Sequence, residues 1–193
     1  VVEDEELLLA LLNSAPVVDE TPTDELSGAS GPEFARRLGG TGTAWEMVQL
    51  RHTRAALPTV VREGPGAITA TDDLSTVLQS ATRIPQLTPA GVRWELRAPA
   101  DELLSVRAVL AWSDVVEQWP GRLRACANDE CNLFLVDHSR PGAAKWCSMA
   151  ACGNRMKARA RSPRTYRREG GCVKAGARRG ARGRSSTQAL RTS

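Results

Sequence analysis

Apolar residues recur at helical spacing along most of the first 120 positions, and one stretch breaks to a period of two. Residues 5–12, Glu-Glu-Leu-Leu-Leu-Ala-Leu-Leu, predict a short apolar helix ended by Asn13-Ser14-Ala15-Pro16. Residues 17–32 hold acids, Pro22, Gly28, Gly31 and Pro32 and read as a loop. Residues 33–38 suit one or two helical turns before Gly39-Gly40-Thr41-Gly42. From Ala44, the positions Trp45, Val48, Leu50, Ala55, Leu57, Val60 and Val61 predict a helix of about five turns, bent or split at Pro58. Asp72-Asp73-Leu74 opens another helix running to Thr82, with Thr71 or Asp72 as its N-cap.

The period then changes. Val92, Trp94 and Leu96 alternate with Arg93, Glu95 and Arg97, the pattern of a half-buried strand. Arg83–Thr88 pairs with it across Pro89-Ala90-Gly91, a loop of three residues with glycine last. Asp101–Trp119 is the strongest helix, with Leu103, Leu104, Val106, Leu110, Val115 and Trp119 on its apolar side and Pro120-Gly121 as its stop; Trp112 and Trp119 are expected in the core. The fold class is therefore mainly α with a small β-hairpin (α+β) over residues 1–121, long enough for a core of its own. Residues 162–193 hold Ser, Gly, Ala and Arg with almost no large apolar side chains, and are expected to form a disordered basic tail.

Charge sharpens the division. Residues 1–154 carry 13 Lys and Arg against 21 Asp and Glu, a balance of −8, while residues 155–193 carry 13 against the single acid Glu169, a balance of +12. An acidic body with a basic end is the asymmetry of a chain whose end meets a polyanion. The apolar run Leu7–Leu12 is too short for a bilayer span and follows acids rather than bases, so neither a membrane helix nor a secretory signal is expected and the chain reads as cytoplasmic. The chain begins Val-Val, so an initiator Met is either missing or replaced by an alternative start. No Ser/His/Asp set, phosphate loop or dinucleotide fingerprint occurs, which argues against an enzyme. The acid pairs Glu5/Glu6, Asp72/Asp73 and Asp101/Glu102 sit where helices are expected to start and complement their dipoles. His52 reads as a surface or partly buried residue.

Four of the five cysteines form two pairs of equal spacing, Cys126-x4-Cys131 and Cys147-x4-Cys152, separated by 15 residues. Two close pairs bracketing the strand Leu133-Phe134-Leu135-Val136 suit a tetrahedral zinc site of thiolates. Buried unliganded thiols, a redox pair and an iron–sulfur cluster are the alternatives. With all four positions filled by protein, a zinc there is structural, with no place for a catalytic water. His138 is not needed as a ligand, and Cys172 in the tail reads as a free thiol. Trp146 is expected to shield the thiolates or pack on Phe134. After Cys152, Gly153-Asn154-Arg155-Met156-Lys157-Ala158-Arg159-Ala160-Arg161 is a helix-forming basic run. Gly153 permits close backbone approach. Asn154 either bonds a sulfur or carbonyl or reads a base. Arg155, Lys157, Arg159 and Arg161 are candidate phosphate contacts, against the alternative of a solvated face.

These residues carry a family likeness. Cys126-x4-Cys131, Leu133-Phe134-Leu135-Val136-Asp137, Ser139-Arg140 and Trp146-Cys147-Ser148-Met149-Ala150-Ala151-Cys152-Gly153-Asn154-Arg155-x-Lys157 closely resemble the CGNR zinc finger, a treble-clef-like four-cysteine module, over residues 122–161. The upstream part resembles the ABATE domain that usually precedes this finger, through Leu11-Leu12-Asn13-Ser14, the Gly-rich turn, the Leu50-Arg51 helix, the hairpin and Gly121-Arg122-Leu123-Arg124. The resemblance implies a bacterial transcription regulator of a stress-induced family, with one structural zinc and DNA as its partner, and with a small-molecule effector or a protein partner at the N-terminal domain. A zinc-finger adaptor docking an acidic protein, or RNA binding, are the competing readings.

Overall fold

A computed structural model describes residues 4–18 and 21–161, with the side chains of Val18, Ala160 and Arg161 excluded. The tail 162–193, with Cys172, lies outside the described residues, as does the side chain of Arg161. Helix α1 (Asp4–Leu12) has nine residues, too few to persist alone. Packing holds it: Leu7, Leu8, Leu11 and Leu12 are all buried, each contributing about 2 kcal/mol on an upper-bound area scale. The Arg107 guanidinium fastens its first turn through Asp4 Oδ1, at 2.6 and 2.9 Å.

A two-stranded ribbon follows, β1 (Val17–Val18) and β2 (Thr21–Pro22), and then α2 (Ser30–Arg37), which starts earlier than its sequence suggests. Helix α3 (Ala44–Glu63) runs unbroken through Pro58, where only one intrahelical donor is lost. Its buried stripe is Met47, Leu50, Thr53, Ala56, Leu57 and Val60, while Trp45, Val48 and Ala55 face solvent. That corrects the apolar face expected from spacing. The helix is rotated because Glu46 is wholly buried, its carboxylate accepting from Gly42 N at 2.6 Å and from Thr41 Oγ1 at 3.0 Å. Thr43 Oγ1 accepts in turn from Glu46 N at 3.2 Å, a capping pair at the helix start. Gly40 presses so closely on the Glu46 carboxylate that no side chain fits there.

A short 3-10 turn, Gly64–Gly66, leads directly into α4 (Ile68–Leu78). The helix therefore begins before the acids: Thr71 and Asp72 lie inside it rather than capping it, Asp73 follows them, and Thr71 Oγ1 donates back to Ala67 O at 2.8 Å. Strands β3 (Thr82–Thr88) and β4 (Gly91–Arg97) form an antiparallel hairpin. Its turn is the two residues Pro89-Ala90, because Gly91 takes φ +118° and already pairs with Thr88. The alternation of β4 is real but its apolar face is not buried: of Val92, Trp94 and Leu96 only Leu96 is half-buried against the core. Helix α5 (Leu103–Gln118) packs against α1, α3 and α4. Trp112 is half-buried beside the core, whereas Trp119 caps the helix in the open, against expectation, and meets the His138 ring edge-on at 5.5 Å.

The described residues end in a small antiparallel pair, β5 (Leu123–Ala125) and β6 (Phe134–Val136), followed by one π-turn, Met149–Gly153, and α6 (Asn154–Arg161). Leu123 and Phe134 belong to the same buried cluster as the leucines of α1, and one compact unit extends to Arg161. Among the described residues no helix is long and apolar enough to cross a membrane.

Candidate metal centre and basic helix

The first cysteine pair is set by β5 and β6. Cys126 N donates to Leu133 O at 2.8 Å, closing the ladder, and the chain turns through Asn128 so that Cys131 N donates to Asn128 O at 2.8 Å. A second strap, Ala127 N to Lys145 O at 2.8 Å, brings the segment before Cys147 alongside. Ser148 then opens the π-turn: its hydroxyl accepts from Ala151 N at 3.0 Å and its carbonyl from Gly153 N at 3.0 Å. The turn places Cys152 opposite the first pair. Gly153 lets the Met149 and Trp146 side chains close on the turn: a Cβ would lie 2.7 Å from Met149 Sδ and 3.2 Å from Trp146 Cδ1, and the exposed Met149 would have to shift to admit it. Trp146, half-buried, thus closes one side of the knuckle. The Phe134 ring carries the Arg62 guanidinium, 4.7 Å from its centroid.

All four sulfurs lie within 4.8 Å of one another, with Cys131–Cys147 and Cys147–Cys152 each at 3.7 Å. A tetrahedron with zinc–sulfur bonds of about 2.3 Å has edges of about 3.8 Å, so the spacing fits that ion. Donors already point at the sulfurs: Asn128 Nδ2 toward Cys152 at 3.5 Å and Cys147 N toward Cys126 at 3.4 Å. Burial pushes the Cys131 and Cys147 thiols up, and neighbouring thiols raise Cys147 further. Burial also opposes the Cys152 thiolate, but the Asn128 amide and the adjacent thiols outweigh it and lower that thiol. Four sulfurs so crowded all ionise only around a cation. Asn128, wholly buried with its amide aimed at Cys152, does not emerge from the cysteine spacing. Its place two residues after Cys126 was the available signal.

A second buried group props up the knuckle. Asp137 accepts from Ser139 N and Ala144 N, both at 2.9 Å, and from the Arg124 guanidinium. The Ser139 hydroxyl foremost, then these backbone donors and Arg124, outweigh burial and hold its carboxyl at about 2. His138 is no ligand: its Nε2 pairs with Glu5 at 2.7 Å, tying the finger to α1.

Helix α6 leaves the metal site with Arg155, Lys157 and Arg159 outward. Asn154, Arg155 and Lys157 are exposed. Arg159 is exposed too but engaged, its Nη2 lying 2.7 and 2.8 Å from the two carboxylate oxygens of Glu130. That pair lowers the Glu130 carboxyl and raises the guanidinium. Glu130 lies in the turn before Cys131, so α6 is clamped to the first knuckle, 29 residues away in sequence.

Residues 122–165 match the CGNR zinc finger family. With the four-cysteine cluster, that match supports zinc binding at Cys126, Cys131, Cys147 and Cys152. No match to an ABATE domain accompanies it upstream. A search of curated proteins finds no match to the chain.

Proposed function

We propose that the chain is a DNA-binding transcription regulator whose one structural zinc folds the finger and whose helix α6 supplies the contact surface. The observation that carries this reading is the position of Arg155 and Lys157. Both are exposed, and both stand on a helix whose start is locked by the metal-site turn. A basic helix of fixed orientation suits phosphates, and the arginine fork suits a guanine edge as well. Asn154 and Arg155, closest to the metal, are the candidate base readers; Lys157, Arg159 and Arg161 are the phosphate contacts. Zinc supplies folding free energy and no chemistry, because cysteines fill its four positions. The helical part, with its ABATE-like sequence pattern, would receive a small-molecule effector or a protein partner, and the protein would act in the bacterial cytoplasm.

Binding to duplex DNA, single-stranded RNA and an acidic protein, each measured over a salt series, tests the proposal. Salt-sensitive binding strongest on duplex DNA, with specific fragments recovered from a genomic pool, is the expected result. Preference for the acidic protein would make the finger an adaptor, and preference for single strands would make it an RNA binder.

A further inference from the structure

The β3–β4 hairpin turns an apolar face to solvent. Its register sets Leu87 opposite Val92, Pro85 opposite Trp94 and Arg83 opposite Leu96, so these six side chains share one side. Leu87, Val92 and Trp94 are 87%, 58% and 60% exposed. A two-stranded ribbon is marginal in water and gains stability from further strands.

The parity of the ladder distinguishes its two edges. A two-residue turn makes Thr88–Gly91 a hydrogen-bonded pair, and alternation then makes Pro85–Trp94 a non-hydrogen-bonded one. Proline satisfies that position, since its nitrogen faces outward with no proton to give, and it blocks the β3 edge. On β4 the same parity turns the N–H and C=O of Val92, Trp94 and Leu96 outward, and no proline interrupts them. An open groove of about 640 Å³ lies on the other, polar face of the hairpin, between Gln86, Thr88, Arg93 and Glu95 and the α5 residues Leu103 and Arg107, so the apolar face and the β4 edge are not what it covers.

We propose that the β4 edge pairs with the β4 edge of a second copy of this chain, antiparallel about a twofold axis at Trp94, to form a continuous four-stranded sheet. The strand is self-complementary about that axis. Arg93 falls opposite Glu95 of the partner subunit, and Glu95 opposite Arg93 of the partner subunit. Val92 falls opposite Leu96 of the partner subunit, and the two tryptophans meet at the centre. The outward groups of Trp94 make that central position a hydrogen-bonded pair. The Arg–Glu pairs then occupy the closer, non-hydrogen-bonded positions, where opposite charges gain most. Centring on Val92 would set Arg93 against a glycine, and centring on Leu96 would run the pairing off the end of the strand. The apolar faces of the two hairpins join side by side, and each Trp94 ring is partly covered by the other. This inference stands apart from whatever the basic helix binds.

Sedimentation of the full-length, zinc-loaded chain over a concentration series tests it. The unaltered chain is expected to dimerise. Arg93→Glu and Glu95→Arg each set like charges against each other in both pairs, and should each weaken association about tenfold or more. An equimolar mixture of the two variants should recover dimers, because each then meets its complement, and the double exchange Arg93→Glu/Glu95→Arg should dimerise like the unaltered chain. A chain that stays monomeric throughout overturns the proposal. So do single variants that dimerise normally, or a mixture or double exchange that fails to recover.

Discussion

Asn13 pairs with the backbone of Phe134 as a neighbouring strand would, its Nδ2 donating to the carbonyl at 3.2 Å and its Oδ1 accepting from the N–H at 2.8 Å. One side chain just after α1 thereby satisfies both outward backbone groups of Phe134. Asn132 repeats the device, donating to Ala15 O at 2.7 Å and accepting from Val17 N at 3.1 Å. The finger is therefore sewn to the segment that follows α1, beside the buried contact of Phe134 with the helical core. Asn13→Ala strands the Phe134 donor and acceptor and should cost about 1–3 kcal/mol in urea unfolding. Faster hydrogen exchange at the Phe134 amide should accompany it; an unchanged rate there would show that the pairing is not formed.

The metal prediction follows from the four sulfurs. Protein made with zinc available should hold one equivalent, and Cys147→Ser should lose it. Because Leu123 and Phe134 lie in the core shared with α1, chelation should loosen more than the knuckle: exchange should rise across β5, β6 and the end of α1, while α3 and α4 remain protected. Protein that carries no zinc under those conditions would refute the site.

Asn128 supports the sulfurs without being a ligand. Asn128→Ala removes the donor aimed at Cys152 and should weaken zinc about tenfold in competition with a chelator, with stoichiometry unchanged. Equal affinity in the variant would reduce Asn128 to a packing residue.

How far these features could be read from sequence depends on the distance over which each is decided. The cysteine pairs are local, and their spacing alone implied the cluster. The hairpin was legible because alternation is local as well, but alternation says only that Val92, Trp94 and Leu96 share a face, not that anything covers it. The start of α4 was hidden because Thr71 and Asp72 have the chemistry of a cap, while the residue at the true cap, Ala67, has none. The rotation of α3 hinged on burying Glu46, for which Thr43-x-x-Glu46 was the visible sign. Glu130–Arg159 and Glu5–His138 join residues far apart in the chain, and only the fold brings them together.

Acid offers a separate check on the helical part. Arg54 grips Asp24 through two bonds, at 2.5 and 2.9 Å, and holds its carboxyl below the ordinary value. A carboxyl lowered by folding stabilises the protein above its unfolded pKa, about 3.9, and ceases to do so as pH falls through the folded value. Asp24→Asn should thus be less stable than the unaltered chain at pH 7, by about 1 kcal/mol for a half-buried pair. The difference between the two should shrink below about pH 4. Comparing the two proteins cancels the acid loss of zinc common to both. A gap that is constant with pH would mean that the charge of Asp24 contributes nothing.

The DNA reading makes its sharpest prediction at Glu130. Each phosphate contact releases a counterion, so the logarithm of affinity should fall with that of salt by about 0.9 per contact. Lys157→Ala should weaken binding on every sequence and flatten that slope by about one contact, whereas Arg155→Ala should relax discrimination at a cost of about 1–3 kcal/mol on the preferred site. Arg159 differs, because a phosphate must take it from Glu130. Glu130→Gln removes that competitor and one negative charge from the approach, so it should strengthen binding and steepen the salt dependence. The basic residues of the tail, eight from Arg164 to Arg184 and then Arg191, would bind DNA with no help from zinc. These comparisons therefore belong in a chain ending at Arg161, where the compact unit ends. If that chain keeps its zinc yet binds DNA no better with Glu130→Gln than without it, Arg159 is a strut between helix and knuckle. If it shows no salt-sensitive binding at all, α6 is not the DNA-contacting surface and the adaptor reading takes its place.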